Sequence, residues 1–287
     1  MMLSKNAITV EDIRIASEKL PGLFHMSLRD KAYLGLKIFL PAVIILFCLD
    51  RMEITVSMLI SGIGQLGWLL DFFFPPSPGN WFWDFVKGMG ETLAMAFLGT
   101  LFGFLLAVPF GFIGAKNVVS NPIIHFSLRR CFDFIRSVDS FIWALMIINI
   151  VGMGPFAGIL AITITDAATL SKLFAETVEN VDRDQIEGTQ STGAGKLQIL
   201  RYAFIPQIFP IMISNVFYFF ESNVRSASIL GMLGAGGIGM HLTDRFRAQV
   251  YDQAGFIIIM ILVTVAIIDY LSRLLRLRMI NNPEYRQ

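Results

Sequence analysis

Apolar residues in this chain come in long, nearly unbroken runs rather than in the alternating or 3.6-spaced patterns of a water-soluble fold. A helix crosses a bilayer with about 20 mostly apolar residues. The runs at about Leu34 to Leu49, Thr92 to Ile113, Ser137 to Met153, Pro155 to Phe174, Phe204 to Phe220 and Gly255 to Leu271 each predict such a span. Ile54 to Leu70 is a seventh uncharged stretch. It carries Gly62, Gly64, Gln65 and Gly67, then meets the helix-stopping sequence Phe74-Pro75-Pro76-Ser77-Pro78-Gly79.

The basic residues choose between six spans and seven, because Lys and Arg collect in cytoplasmic loops. With six spans and a cytoplasmic N-terminus, only Arg51, Lys87, Arg225, Arg245 and Arg247 of the 23 Lys and Arg fall outside. A crossing at Ile54 to Leu70 would move Lys5 through Lys37 outside as well. Six spans are therefore expected, with Ile54 to Leu70 as an external helix on or dipping into the membrane face. Residues 1–32 read as a cytoplasmic leader with an amphipathic piece near Val10 to Leu20, and 33–50 as the first span. An external loop at 51–87, a core at 88–278 and a cytoplasmic tail at 279–287 complete the expected layout. The first run follows a charged leader and precedes no small-residue cleavage site, so it reads as a retained span rather than a signal peptide.

Composition agrees with an all-α membrane protein. Of the 287 residues 55% are hydrophobic and 16% charged, and the mean hydropathy is +0.64. A net charge of +1 gives no reason to expect a nucleic-acid partner. Cys48 and Cys131 support neither a disulfide framework nor a metal site, and His25, His125 and His241 lie far apart. No nucleophile turn of the G-x-S-x-G kind occurs, so a non-catalytic chain with no cofactor or metal of its own is expected.

The longest inside loop, residues 175–206, is too polar for lipid and contains the sequence "NVDRDQIEGTQSTGAGKLQILRYAFIPQ". A short helix is expected from about Asp184 to Thr192. Gly193 would end it and Pro206 would begin the next span. Such a rigid polar knob suits a grip by a soluble partner that passes rigid-body motion to the spans on either side. Within the loop, Ser191-Thr192-Gly193-Ala194-Gly195-Lys196 imitates the end of a phosphate-binding loop. Gln190 stands where the first Gly is needed, and Leu197 follows the Lys.

The spacing of Glu187-Gly188-Thr189, Gly193 and Ala203-Phe204-Ile205-Pro206 resembles the EAA loop of ABC-importer membrane subunits. Glu187, Gly193 and Pro206 match its most characteristic positions; Gly188, Thr189, Ala203 and Ile205 differ from its commonest letters. Gly152-Met153-Gly154-Pro155-Phe156-Ala157-Gly158 and Phe220-Glu221-Ser222-Asn223-Val224-Arg225-Ser226-Ala227 resemble the phosphonate-type, PhnE-like permeases. The resemblance implies a type I, MetI-like permease core in a bacterial inner membrane with both termini cytoplasmic. It also implies a permease homodimer, two cytoplasmic ATPase subunits that hold ATP and Mg, and an extracytoplasmic substrate-binding protein. The cargo would be phosphonate, phosphite, phosphate or a related phosphorus oxyanion. Asp184, Glu187, Gly188, Thr189, Gly193 and Pro206 would couple to the ATPase.

Ionisable residues at membrane depth are costly and draw attention. Asp166 lies within a span, and Asp269 is expected to pair with an Arg of the tail. Arg136 and Asp139 sit three apart, the spacing of an ion pair on one helix face. Glu221 and Arg225 sit four apart. They read either as an intrahelical pair or as an outer-gate arginine offered to an anion. Gly234-Ala235-Gly236-Gly237-Ile238-Gly239, with Asp252 downstream, fits a dinucleotide-binding turn by letter. Between two spans, with no βαβ unit, it reads instead as a break where the chain turns back at the outer edge. Residues 221–240, with Glu221, Arg225, Ser226, Gly236 and Gly237, form the expected substrate path. An ATP-independent transporter or channel and a membrane oxidoreductase are the competing readings.

Overall fold

The computed structural model describes residues 28–53, 55, 57–58, 60–64, 67, 74–119 and 121–280. The amphipathic leader segment and residues 281–287 of the tail lie outside the described residues. So does about half of Ile54 to Leu70, of which the described parts 57–58, 60–64 and 67 are helical. Two compact units divide the chain at Leu69. The first contains α1 (Leu28–Arg51), a helix with Pro41 in its interior.

The second unit holds α2 (Phe82–Gly114), α3 (Pro122–Ser137), α4 (Ser140–Val151), α5 (Pro155–Glu179) and α6 (Arg183–Ser191). It continues with α7 (Lys196–Ile199), α8 (Ile205–Leu230), α9 (Gly237–Arg247) and α10 (Tyr251–Ile280). No strand occurs among the described residues. Among the described residues, five spans qualify by length and composition, or six, as expected, if α3 and α4, which meet at 85°, count as one. The protein is thus an all-α membrane protein.

The third span departs from expectation. The run from Ser137 to Met153 forms only the short α4, and the preceding segment is a separate helix packed against α5. The bend sits at Val138 and Asp139. Asp139 is the N-cap of α4 and accepts from the Phe141 N–H at 2.8 Å, a cap that contributes about 1 kcal/mol. The side chain is therefore engaged locally, and among the described residues no ion pair joins it to Arg136. The fifth span also differs: α8 continues to Leu230, ten residues past the apolar run that ends at Phe220. Glu221 and Arg225 therefore sit inside a helix rather than at its exit.

Helices α2 and α5 form the centre and run parallel, since the close pairs Gly99–Ile162, Gly103–Asp166 and Gly111–Phe174 advance together along both. At each glycine an added Cβ would come within 2.6 to 2.7 Å of the facing side chain. Without a hydrophobic drive in lipid, such small-residue seams let backbones approach and gain dispersion contacts. Around this seam, Met95, Ile162, Val224 and Leu230 join α2, α5 and α8, and Leu170, Phe174, Ile208 and Met212 form a second cluster. A third cluster, Phe85, Ile238, Leu242 and Ile257, packs α2, α9 and α10. Buried Thr92, Thr100 and Thr163 return their hydroxyl protons to carbonyls one turn back, so little polarity is left unpaired in the apolar interior.

Candidate functional site

The loop that carries the EAA-like spacing folds into an isolated, capped helix. Asp182 caps α6 by accepting from the Asp184 N–H at 3.0 Å, and no residue of α6 is buried. Glu187 projects from its middle; Gly188 has open space where a side chain would go. The Thr189 hydroxyl donates to the Gln185 carbonyl. Gly193 ends the helix at φ +80°, a conformation that L side chains rarely adopt. Pro206 does not begin the span as expected: helical turns run from Lys196 through a wider π turn at Leu200–Phe204 straight into α8, of which Pro206 is the second residue. Ser191 to Lys196 is the end of α6, a turn and the start of α7, with no strand before it, so it lacks the frame of a phosphate loop.

What holds this helix to the membrane domain was not visible in the motif. Glu179, at the end of α5, accepts from the Lys116 backbone N–H at 2.8 Å and forms an ion pair with Arg129 of α3, also at 2.8 Å. Asn117 donates to the Val178 carbonyl, and Gln207 of α8 accepts from the Asp182 N–H. Lys172 pairs with Asp133 at 2.6 Å. Contacts from α3 and the turn after α2 thus fix the last turns of α5, from which α6 follows, and the bond between Asp182 and Gln207 ties the start of α6 to α8. These partners are more than 20 residues away in sequence, so only the fold brings them together.

Glu221 has two cationic partners. Arg225 approaches it at 3.7 Å from the next turn of α8, and Arg276 of α10 donates a hydrogen bond at 3.1 Å. Arg276 belongs to the basic flank of the last span, and nothing in its spacing announced this contact. Asp269, expected to pair with a tail arginine, has no ion pair among the described residues. Asp166, 3% exposed, is reached by the Asn223 side-chain amide, which also donates to Thr100, so one polar cluster ties α2, α5 and α8 together. The Ser226 hydroxyl donates to the Ser222 carbonyl.

The glycine run breaks the chain between α8 and α9. Gly234, Gly236 and Gly237 take φ of +104°, +79° and +70°, a conformation open to glycine at little cost. The Ile238 N–H at the start of α9 donates to Thr92, and the Gly237 N–H donates to Glu91. Amides that a dinucleotide turn would present to phosphate are thus taken up by α2 side chains. His125 contacts the Gly114 carbonyl and His241 packs on Phe85, while His25 lies outside the described residues. No cluster of metal-ligating residues occurs among the described residues.

Comparison with known proteins follows from this architecture. The family described as binding-protein-dependent transport system inner membrane component matches residues 107–281. The chain belongs to this family. The permease is 35% identical over 225 residues, 78% of its length, to HtxC of Stutzerimonas stutzeri, whose name assigns it to a phosphite transport system; 79% of that protein is covered. It is 34% identical to the phosphate-import permease protein PhnE of Mycolicibacterium smegmatis, over 69% of this chain and 37% of that one. A chain of the inward-facing MetNI methionine ABC transporter superposes with a TM-score of 0.59 at 22% identity, covering 71% of the permease and 99% of that chain. That likeness gives the fold, a MetI-like permease core, and the relatives make this a PhnE-like ABC permease.

Proposed function

We propose that the permease is the membrane subunit of an ATP-driven importer for a phosphorus oxyanion, a class that includes phosphonate, phosphite and phosphate. It acts as a homodimer with two cytoplasmic ATPase subunits, which hold ATP and Mg, and with an extracytoplasmic binding protein. Both termini face the cytoplasm. A cytoplasmic leader, a first span, an external loop, a permease core and a cytoplasmic tail are part of this proposal. The names of the relatives support the substrate class.

The single observation that carries the coupling mechanism is the exposed, capped helix Arg183–Ser191. Asp184, Glu187, Gly188 and Thr189 form the surface gripped by the ATPase; Gly193 stops the helix, and Pro206 lies at the start of α8, in the span that moves. The Glu179 hub supports this role. A load applied to α6 passes to α3, α5 and α8 through charge-assisted contacts instead of being lost in a flexible loop. ATP binding to the partner needs only to favour one permease conformation over the other.

Co-purification tests the coupling. The intact permease is expected to bring down its ATPase, and Glu187→Lys to abolish that association while the permease still inserts and survives detergent extraction. Undiminished association of the Glu187→Lys permease would refute the assignment of α6.

A further inference from the structure

One face of α8 is polar in a way that neither lipid nor the core explains. At about 100° per residue, Ser214, Asn215, Tyr218, Ser222, Arg225 and Ser226 fall within about one third of the helix circumference, interrupted only by Ile211 and Ile229. The rest carries Val216, Phe217, Phe219, Phe220, Val224 and Ala227, together with Glu221, Asn223 and Ser228, which are buried and bonded within the fold. Tyr218 and Arg225 are exposed, and the four others of the stripe are half-buried. Among the described residues, the side-chain polar groups of Ser214, Asn215, Tyr218 and Ser222 make no hydrogen bond. Unpaired donors turned outward from a transmembrane helix are costly against hydrocarbon and call for water or a polar ligand.

The charges next to this stripe do not cancel. Arg276 makes the shorter contact to Glu221, with hydrogen-bond geometry, whereas Arg225 stays at 3.7 Å with its side chain 50% exposed. Two guanidinium groups share one carboxylate, leaving a net positive charge on the free face. A guanidinium fork suits two oxygens of a tetrahedral anion, and the neighbouring hydroxyl and amide groups supply further donors.

The geometry points to this face of α8 as the wall of the translocation path, with Arg225 as its contact for a tetrahedral phosphorus oxyanion. Glu221, retained by Arg276, is the internal counter-charge that the anion displaces from Arg225. Arg276 is thus a positioning residue: it holds Glu221 so that Arg225 is available. The assignment rests on the oxyanion-importer reading for the identity of the anion, but not for the existence of the path.

The test uses the assembled transporter, with Cys48→Ser and Cys131→Ser, and single cysteines labelled by small thiol reagents of opposite charge. Tyr218→Cys and Ser222→Cys on the stripe are expected to react, and Val224→Cys and Ala227→Cys, buried on the opposite side of α8, to react far more slowly. The anionic reagent should be favoured over the cationic one by about tenfold, the scale of electrostatic focusing in a charged cleft. Arg225→Gln and Arg276→Gln should each remove that preference, the second because Glu221 then neutralises Arg225; Arg225→Lys should keep it. Stripe cysteines that react no faster than the others would overturn the path. A charge preference that is absent, or that survives Arg225→Gln, would overturn the anion contact. If the stripe labels as expected but transport assays find no phosphorus oxyanion carried, the functional reading fails and the path assignment stands.

Discussion

At the scale of single residues, the same amino acid carries opposite consequences in two places. Gly99 faces Ile162 with no room for a Cβ, so Gly99→Leu forces α2 and α5 apart. Gly188 on α6 meets nothing within 4 Å. Gly99→Leu is expected to abolish recovery of folded permease from membranes, while Gly188→Ala should be recovered normally. The latter gains roughly 0.5–1 kcal/mol of helix stability. Equal recovery of the two variants in size-exclusion chromatography would contradict this packing. Asn223 is the other residue with a sharp cost. Asn223→Leu strands the buried Asp166 and Thr100 without their shared donor, a penalty of about 1–3 kcal/mol. A lowered thermal midpoint in detergent is expected, and an unchanged one would show that this cluster is not a brace.

At the scale of elements, hydropathy located five of the six expected spans; the run from Ser137 to Met153 forms only the short α4, and the ends of several others were misjudged. The reason is physical. Apolar runs report contact with lipid, whereas helix ends are set by caps and buried polar partners. Glu221 looked like a boundary because it is charged; Arg276 and Arg225 let the helix continue through it. Asp139 looked like half of an ion pair, but it caps α4 and marks the bend. The short loop helix was legible almost to the residue, since Gly193 is a local stop signal that needs no partner; its start is fixed by the Asp182 cap, which the sequence reading did not use. Its root was not legible, because Glu179, Arg129 and Asn117 meet only once α3 has folded back onto α5. Glu179→Gln should preserve ATPase association, since α6 is untouched, but lower the amount of substrate moved per ATP hydrolysed. An unchanged uptake-to-hydrolysis ratio would remove the hub from the coupling path.

At the scale of the whole molecule, the permease has two distinct working regions joined by α8. One end of α8 follows the proposed coupling loop, and its interior bears Glu221, Arg225 and the polar stripe, so on this proposal movement of α6 acts on the helix that lines the path. Because α8 also packs on α2 and α5 through the Met95, Val224 and Leu230 cluster, it is expected to shift as a rigid body. Fold and family were readable from the spans and the loop spacing. The pairing of Glu221 with Arg276 was not, since it joins α8 to α10 across 55 residues of chain.

The most direct test of the central claim is uptake into proteoliposomes that contain the permease, its ATPase and its binding protein. Accumulation of phosphite, phosphate or a phosphonate is expected only with ATP inside the accessible compartment and binding protein on the opposite side, and is expected to be lost with Glu187→Lys. Transport by the permease alone without ATP, or undiminished ATP-driven uptake with Glu187→Lys, would contradict it.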